Sequence, residues 1–200
     1  MNALEALNRA LFLSINATPS TPVWLINAAR FIADDVIYLV PLVLAALWLA
    51  GGEHRRAAAV RVCCVVLLAL GMNQLIGLGW MHPRPFMIGL GHTFIEHAPD
   101  SSFPSDHGTV LASGALTLLL AGERRYGLAM LLAGFAVAWA RIFIGVHFPL
   151  DMAGAVVVAC VAYAVVAPLW GMSGAALTRG LVAVYRKVLA WPIGRGWISS

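Results

Sequence analysis

The chain has 200 residues, of which 61% are hydrophobic and only 11% are charged, and its mean hydropathy is +0.85. A soluble domain carries roughly 25% charged residues, so the composition excludes an ordinary water-soluble protein and predicts one membrane-embedded domain over 1–200. The net charge of +4 does not indicate a nucleic-acid partner, because the positive residues lie in short segments between apolar runs.

The apolar runs predict an all-α fold, a polytopic bundle of about five helices that span a bilayer. A spanning helix needs about 20 mostly apolar residues. Four runs meet or approach this length, at 57–78, 109–121, 127–144 and 151–169.

The first part of the chain supplies the fifth span and a shorter element. The run at 23–50 is apolar but interrupted by Asp34 and Asp35, and the sequence allows either one long tilted helix or a partial insertion followed by a span. Before it, a short amphipathic helix is expected to end ahead of Pro19. Glu5 and the absence of a positive leading region argue against a signal peptide there.

The arginines and lysines predict the orientation of the bundle. They cluster at 51–56, at 122–127 and in a basic tail at 172–200. With five crossings these segments share one side, which the positive-inside rule makes cytoplasmic, with the tail against the anionic leaflet. The segments 79–105 and 144–151 then face outward.

Three groups of polar residues fall in these outer segments, where ionisable side chains at membrane depth are costly and are therefore functional candidates. In the first group, Pro83 and Pro85 flank Arg84 and stiffen its backbone. A guanidinium binds phosphate oxygens through a rigid bidentate fork. The alternative for Arg84 alone is an interfacial side chain that reaches toward lipid headgroups.

The second group lies at the start of the run at 109–121. Ser105 follows Pro104 and is predicted to cap a helix, whose first N–H groups form an anion site. His107 falls in the first turn, where it is placed to protonate a leaving oxygen. The alternative is a capping serine beside a structural histidine.

The third group joins the last two spans. Pro149 fits the start of a helix, which puts Asp151 in the first turn and within reach of His147. A carboxylate on one ring nitrogen fixes the tautomer and leaves the other nitrogen free to attack. Arg141 adds a second cation. The alternative is a buried His–Asp pair that ties two helices together.

Together the groups predict phosphoryl transfer, which needs mainly positioning and charge stabilisation. The chemistry is complementary, since it combines anion clamps, a nucleophile, an acid and an orienting carboxylate. Neither His107 nor His147 has the nearby cysteine or carboxylate spacing of a zinc or magnesium centre, so no metal and no cofactor is predicted.

These residues resemble the type 2 phosphatidic acid phosphatase superfamily and, within it, the undecaprenyl-diphosphatases of bacterial inner membranes. The signatures of that family have the form KxxxxxxRP, PSGH and SRxxxGHxxxD, the last with variants that place one residue between Gly and His. The matching positions, in order, are Arg84 and Pro85; Pro104, Ser105 and His107; and Arg141, Gly145, His147 and Asp151.

Three positions depart from the family pattern. Gly77 stands where the first signature has lysine, Asp106 where the second has glycine, and Ala140 where the third has serine. The strings HPRPF and FPSDHGT are similar to those of the undecaprenyl-diphosphatase branch, which indicates that the departures belong to that branch.

The resemblance implies an enzyme of the inner membrane that hydrolyses undecaprenyl diphosphate, a polyprenyl diphosphate lipid, at the periplasmic face and so recycles the carrier lipid of cell-wall synthesis. It implies that His147 attacks phosphorus, Asp151 orients it and His107 protonates the leaving group. It also implies three phosphate-binding residues, Arg84, Ser105 and Arg141.

Two other functions stay open at this point. One is phosphatase activity on another lipid phosphate, such as phosphatidylglycerol phosphate or a lipid A phosphate, and the other is a binder or transporter of anionic lipids. Secondary site candidates, for a second phosphate or for tuning His107, are Asp106, His82 and His97. For most of the outer loop, including Asp100, a solvated face is favoured.

Overall fold

The helices of the chain are described in a computed structural model for residues 3–49 and 52–196, and every regular element within those ranges is helical. The α-helices, in chain order, are α1 (Ala3–Ile15), α2 (Val23–Asp34), α3 (Leu39–Leu49), α4 (Glu53–Gly79), α5 (Asp106–Leu120), α6 (Arg124–Phe143), α7 (Pro149–Val188) and α8 (Ala190–Gly194).

Within the described ranges, four stretches are long and apolar enough to cross a membrane, namely Val23–Leu49, Glu53–Gly79, Arg124–Phe143 and Pro149–Val188. Helix α5 has only 15 residues, and side chains of α4 contact both of its ends. Its first residue, Asp106, accepts a hydrogen bond from Asn73 near the end of α4, and the Ala121 carbonyl meets His54 near the start of α4. The predicted all-α, multi-pass membrane bundle of about five helices is therefore confirmed.

The surface of the bundle is apolar where a soluble protein would be polar. Leu67 on α4, Leu132 on α6 and Val157 on α7 are all exposed by 60% or more. Because lipid tails solvate such side chains, they face the bilayer without cost.

Helix α5 packs between α4, α6 and α7 in the main core. Leu111 and Leu118 of α5 are fully buried with Val62 of α4 and with Met130 and Val137 of α6. This packing on three sides fixes the position of the first turn of α5, which carries the second group of polar residues.

The apolar run at 23–50, for which the sequence left two alternatives open, is interrupted after Asp34. Helix α2 ends at Asp34, a 3₁₀ turn spans Val36–Tyr38, and α3 follows. Helix α2 packs its Ala29 and Ala33 against the outer end of α6, where small side chains allow the two helices to approach closely.

The short amphipathic helix predicted before Pro19 is α1. It lies at the same end of the bundle as the polar groups, with Phe12 edge-on to Phe148 at 5.3 Å between ring centroids. Asn8 accepts a hydrogen bond from the Leu150 N–H at 3.0 Å. Helix α1 therefore supports the connection between α6 and α7 from behind.

The last helix is longer than the predicted span at 151–169. Helix α7 continues through Pro168 to Val188, so the first part of the segment expected as a basic tail, from 172 onward, is helical. A proline removes one helical hydrogen bond, but packing and neighbouring groups make this tolerable in membrane helices. Residues 197–200 of that tail lie outside the described residues.

Candidate active site

One cavity of about 330 Å³ at the outer-segment end brings the three polar groups together. Its walls come from the end of α4, the loop at 80–105, the first turn of α5 and the end of α6. The residues that line it are Asn73, Gln74, Gly77, Leu78, Met81, Arg84, His97, Asp100, Ser101, Phe103, Pro104, Asp106, His107, Arg141 and His147.

Ser105 caps α5 as predicted. It follows Pro104 in an extended conformation, and its hydroxyl accepts a hydrogen bond from the Gly108 N–H at 3.3 Å. Ser105 is fully buried, and its neighbours Pro104 and Asp106 line the cavity. The N-terminus of α5 contributes a partial positive charge at the cavity floor, where an anion is stabilised.

The connection between α6 and α7 presents His147 to the cavity through a tight backbone turn. Gly145 has φ +90°, and a Cβ at this position would collide with the His92 carbonyl oxygen. Only glycine adopts this conformation without strain and allows so close an approach. Pro149 then starts α7, as predicted.

The hydrogen bonds of His147 define its tautomer. Nε2 lies 3.0 Å from Nη1 of Arg84, and Nδ1 lies 3.1 Å from Oδ2 of Asp151. A guanidinium can only donate, so Nε2 is the acceptor, and the neutral ring carries its proton on Nδ1 toward the carboxylate. The lone pair of Nε2 is therefore directed to the Arg84 side of the cavity.

Asp151 is held by three donors on one oxygen. Besides His147, the Phe148 N–H donates to Oδ2 at 2.7 Å and the Ser102 hydroxyl donates to the same atom. The Ser102 hydroxyl is also 3.4 Å from Nδ1 of His147. Sequence reasoning missed Ser102, because a serine in an irregular loop carries no pattern that distinguishes it from its neighbours.

Arg84 lies buried beside Nε2 of His147 and is held from several sides. Its Nε donates to Oδ1 of Asp100 at 2.7 Å, and Nη1 donates to the Val146 carbonyl at 2.9 Å. Partial burial alone would raise the pKa of the Asp100 carboxyl. The hydrogen bond from Arg84 and the charge of Arg84 lower this pKa by a larger amount, so the net shift is downward. Asp100 is exposed, as expected for a solvated loop face, and in addition it forms an ion pair with the buried Arg84.

Arg141 approaches the cavity from α6 and is 2% exposed. Its Nη1 donates to the Ala33 carbonyl at 3.2 Å and lies 3.5 Å from Asp34, while Nη2 is 3.0 Å from Nε2 of His97. The interruption at Asp34 thus places a counter-charge beside Arg141. His97, a secondary candidate, lies in the cavity wall.

His107 and Asp106 extend the wall on the α5 side. Asn73 donates from Nδ2 to Oδ1 of Asp106 at 2.8 Å and to the Thr109 hydroxyl at 3.0 Å, which ties the first turn of α5 to α4. Gly77, one turn after Asn73, lines the same wall. The missing lysine of the first signature would therefore have entered this cavity.

The third secondary candidate, His82, lies elsewhere. Its ring packs against Trp80 at 5.3 Å and Phe148 at 5.6 Å between centroids. Within the part of the chain that the structure describes, the residues lining the cavity do not include His82. The His82 ring therefore packs against aromatic side chains outside the cavity.

One membrane-embedded cavity is surrounded by a lone pair on a buried imidazole, two guanidiniums and a helix N-terminus. This arrangement suits chemistry on a lipid phosphate. The PAP2 superfamily model matches residues 58–174, a range that includes all three polar groups. The chain belongs to the PAP2 superfamily and is a membrane lipid phosphatase.

Two relatives extend the match over most of the chain. The Escherichia coli K12 protein YbjG, whose name carries a provisional assignment as undecaprenyl-diphosphatase, is 37% identical over 98% of this chain and 100% of its own length. The undecaprenyl-diphosphatase BcrC of Bacillus subtilis 168 is 34% identical over 78% of this chain and 80% of its own length.

Two solved structures share the fold. LpxE of Aquifex aeolicus aligns with a TM-score of 0.61 at 23% identity, over 80% of this chain and 93% of that one. A PAP2-type phosphatidylglycerolphosphate phosphatase of Bacillus subtilis aligns with a TM-score of 0.63 at 17% identity, over 84% and 87%. The helix arrangement of this chain is thus shared with both of these proteins.

Proposed function

We propose that the protein hydrolyses undecaprenyl diphosphate to undecaprenyl phosphate and inorganic phosphate, through a phosphohistidine at His147. The observation that carries the proposal is the Nε2 lone pair of His147, which lies beside a guanidinium in a cavity of about 330 Å³. The choice of substrate is supported by the two relatives named for this activity.

The reaction proceeds in two displacements. Nε2 of His147 forms a bond to the terminal phosphorus as the bridging P–O bond breaks, and His107 gives its proton to the departing lipid phosphate. Water then attacks phosphorus, the N–P bond breaks, and His107 takes the proton from that water. Asp151 stabilises the positive ring throughout, while Arg84, Arg141 and the N-terminus of α5 at Ser105 hold the phosphoryl oxygens.

The proposed location is the bacterial inner membrane, with the cavity open to the periplasm and the carrier lipid returned to cell-wall synthesis. The described part of the first basic segment, 52–56, and the second basic segment, 122–127, lie at the opposite end of the bundle from the cavity, where His54 meets Ala121. The positive-inside rule makes that end cytoplasmic.

The test is phosphate release from a panel of lipids by detergent-purified protein in excess EDTA. The panel contains undecaprenyl diphosphate, phosphatidylglycerol phosphate and a lipid A phosphate. We expect the polyprenyl diphosphate to give the highest kcat/KM. Much faster turnover of a monophosphate glycerolipid would reassign the substrate, and no release from any lipid would favour an anionic-lipid binder.

The pH dependence should report on His147, which must be neutral to attack. Burial, and next the charges of Arg84 and Arg141, place the pKa of His147 well below its usual value of 6.5. Because the pKa is lowered, the ring stays neutral as the pH falls, and activity is lost only at pH values below the usual pKa of histidine. We expect the acidic limb of kcat/KM to lie below pH 6.5.

The measurement is kcat/KM against pH, corrected for the substrate's own phosphate titration, which ³¹P NMR gives in the same micelles. An acidic limb at or above pH 6.5 after this correction would contradict a neutral, desolvated His147.

A further inference from the structure

The guanidinium of Arg84 is already engaged in the substrate-free protein. Nε donates to Oδ1 of Asp100 at 2.7 Å, and Nη2 donates to the Ser101 carbonyl at 3.2 Å. Nη1 donates to the Val146 carbonyl at 2.9 Å and to Nε2 of His147 at 3.0 Å. These contacts use four of the five N–H donors of an arginine. A phosphate bound through a bidentate fork needs two adjacent donors, so an existing partner must leave.

The partner best able to leave is Asp100. The carbonyls of Ser101 and Val146 belong to backbone that packs around the cavity, and Val146 is fully buried. The Asp100 side chain is 61% exposed, so water replaces its hydrogen bond when it moves away. The carboxylate also has the charge and oxygen geometry that a phosphate brings to the same donor.

The second guanidinium is engaged from the same short segment. His97, three residues before Asp100, accepts a hydrogen bond from Nη2 of Arg141 at 3.0 Å. Nδ1 of His97 lies 3.8 Å from Oδ1 of Asp100. The segment 97–100 therefore lies over both cations of the cavity, and its one carboxylate lies against Arg84.

We propose that the Asp100 carboxylate occupies the phosphate position on Arg84 in the substrate-free protein and competes with inorganic phosphate for that guanidinium. The inference rests on the proposed function, since it takes Arg84 as a phosphate ligand. Competition weakens the binding of the product phosphate and so favours its release after each turnover. A lipid phosphate also binds through its chain and displaces Asp100 more readily.

The test is the Kd of inorganic phosphate for the detergent-purified full chain, measured by isothermal titration calorimetry. Replacing the carboxylate with an amide, in Asp100→Asn, should tighten binding by about two- to fivefold, the range expected when a solvent-exposed ion pair no longer competes. The matched control is Glu96→Gln, which removes one negative charge from an exposed position of the same loop. Asp100→Glu, which retains the charge, should bind phosphate as the wild type does.

An equal gain in Asp100→Asn and Glu96→Gln would overturn the inference, because it would reflect net charge alone. Unchanged phosphate binding in Asp100→Asn would also overturn the inference. Weaker binding would overturn it too, because it would show that Asp100 positions Arg84 for phosphate and does not compete with phosphate. Asp100→Ser removes the same charge and takes the place of the amide variant if that protein does not purify as a single species. The proposed function fails separately if the wild-type protein releases no phosphate from undecaprenyl diphosphate, whatever the Kd values for inorganic phosphate.

Discussion

Replacing His147 with alanine should lower kcat for undecaprenyl diphosphate by at least about 10⁴-fold while the protein remains folded. The loss is large because no other group supplies the attacking lone pair, and removal of the nucleophile from a triad-like unit costs about 10⁴–10⁶ in rate. The fold survives because Asp151 retains the hydrogen bonds from Phe148 N–H and Ser102. The measurement is phosphate release, with thermal unfolding in detergent as the check on folding.

The matched control is His92→Ala. His92 lies in the same outer loop, its side chain is exposed, and its contacts with Asn16 are made by backbone atoms. We expect this variant to keep wild-type turnover. If His147→Ala turned over substrate at a rate near that of His92→Ala, the histidine mechanism would be wrong.

Replacing His107 with alanine should slow phosphoryl transfer by about 10²–10⁴-fold, the usual contribution of a general acid. The size of the loss should depend on the leaving group. The lipid phosphate that leaves a diphosphate is a weak base, whereas the alkoxide that leaves a phosphate monoester is a strong base and needs the proton more. We therefore expect a greater loss with a lipid monophosphate than with undecaprenyl diphosphate.

The measurement is single-turnover kinetics of wild type and His107→Ala on both substrates. Equal losses on the two would indicate that His107 acts in binding or positioning, and no loss on either would remove it from the mechanism. A lowered maximal single-turnover rate at an unchanged half-saturating concentration would support the assignment as acid.

Much of the candidate site could be predicted because its geometry is local in sequence. The cap at Ser105 depends on residues up to Gly108, and the pairing of His147 with Asp151 depends on a helix that starts at Pro149. Short-range rules for helix starts fix such contacts without knowledge of the fold. Burial of these side chains in one cavity followed from their placement on the same membrane side.

The rest of the site depends on contacts between distant segments. Ser102 reaches Asp151 across 49 residues, and Arg84 reaches Asp100 and Val146 from a loop without periodicity. An irregular loop has no hydrophobic periodicity, so its sequence does not indicate which of its polar residues turn inward. Asp100 is exposed as expected, but its ion pair with a buried guanidinium was not foreseen.

The helices, like the site, could be predicted from the sequence only in part. Apolar runs predicted the bundle, since the bilayer demands long apolar segments and satisfied backbone groups. They did not predict where α7 ends, because the helix continues beyond the apolar stretch through Pro168 into a basic segment. The apolar runs also did not decide whether 23–50 forms one long tilted helix or a partial insertion followed by a span. The break at Asp34 is stabilised by Arg141 of another helix.

The most direct test of the central claim is to trap the phosphoryl group on the enzyme. Wild-type protein is mixed for milliseconds with undecaprenyl diphosphate carrying a ³²P terminal phosphate, quenched in base and digested, and the labelled peptide is sequenced. The account predicts a base-stable, acid-labile label on His147 that is absent from His147→Ala. A label on another residue, or phosphate release without any label on His147, would contradict it.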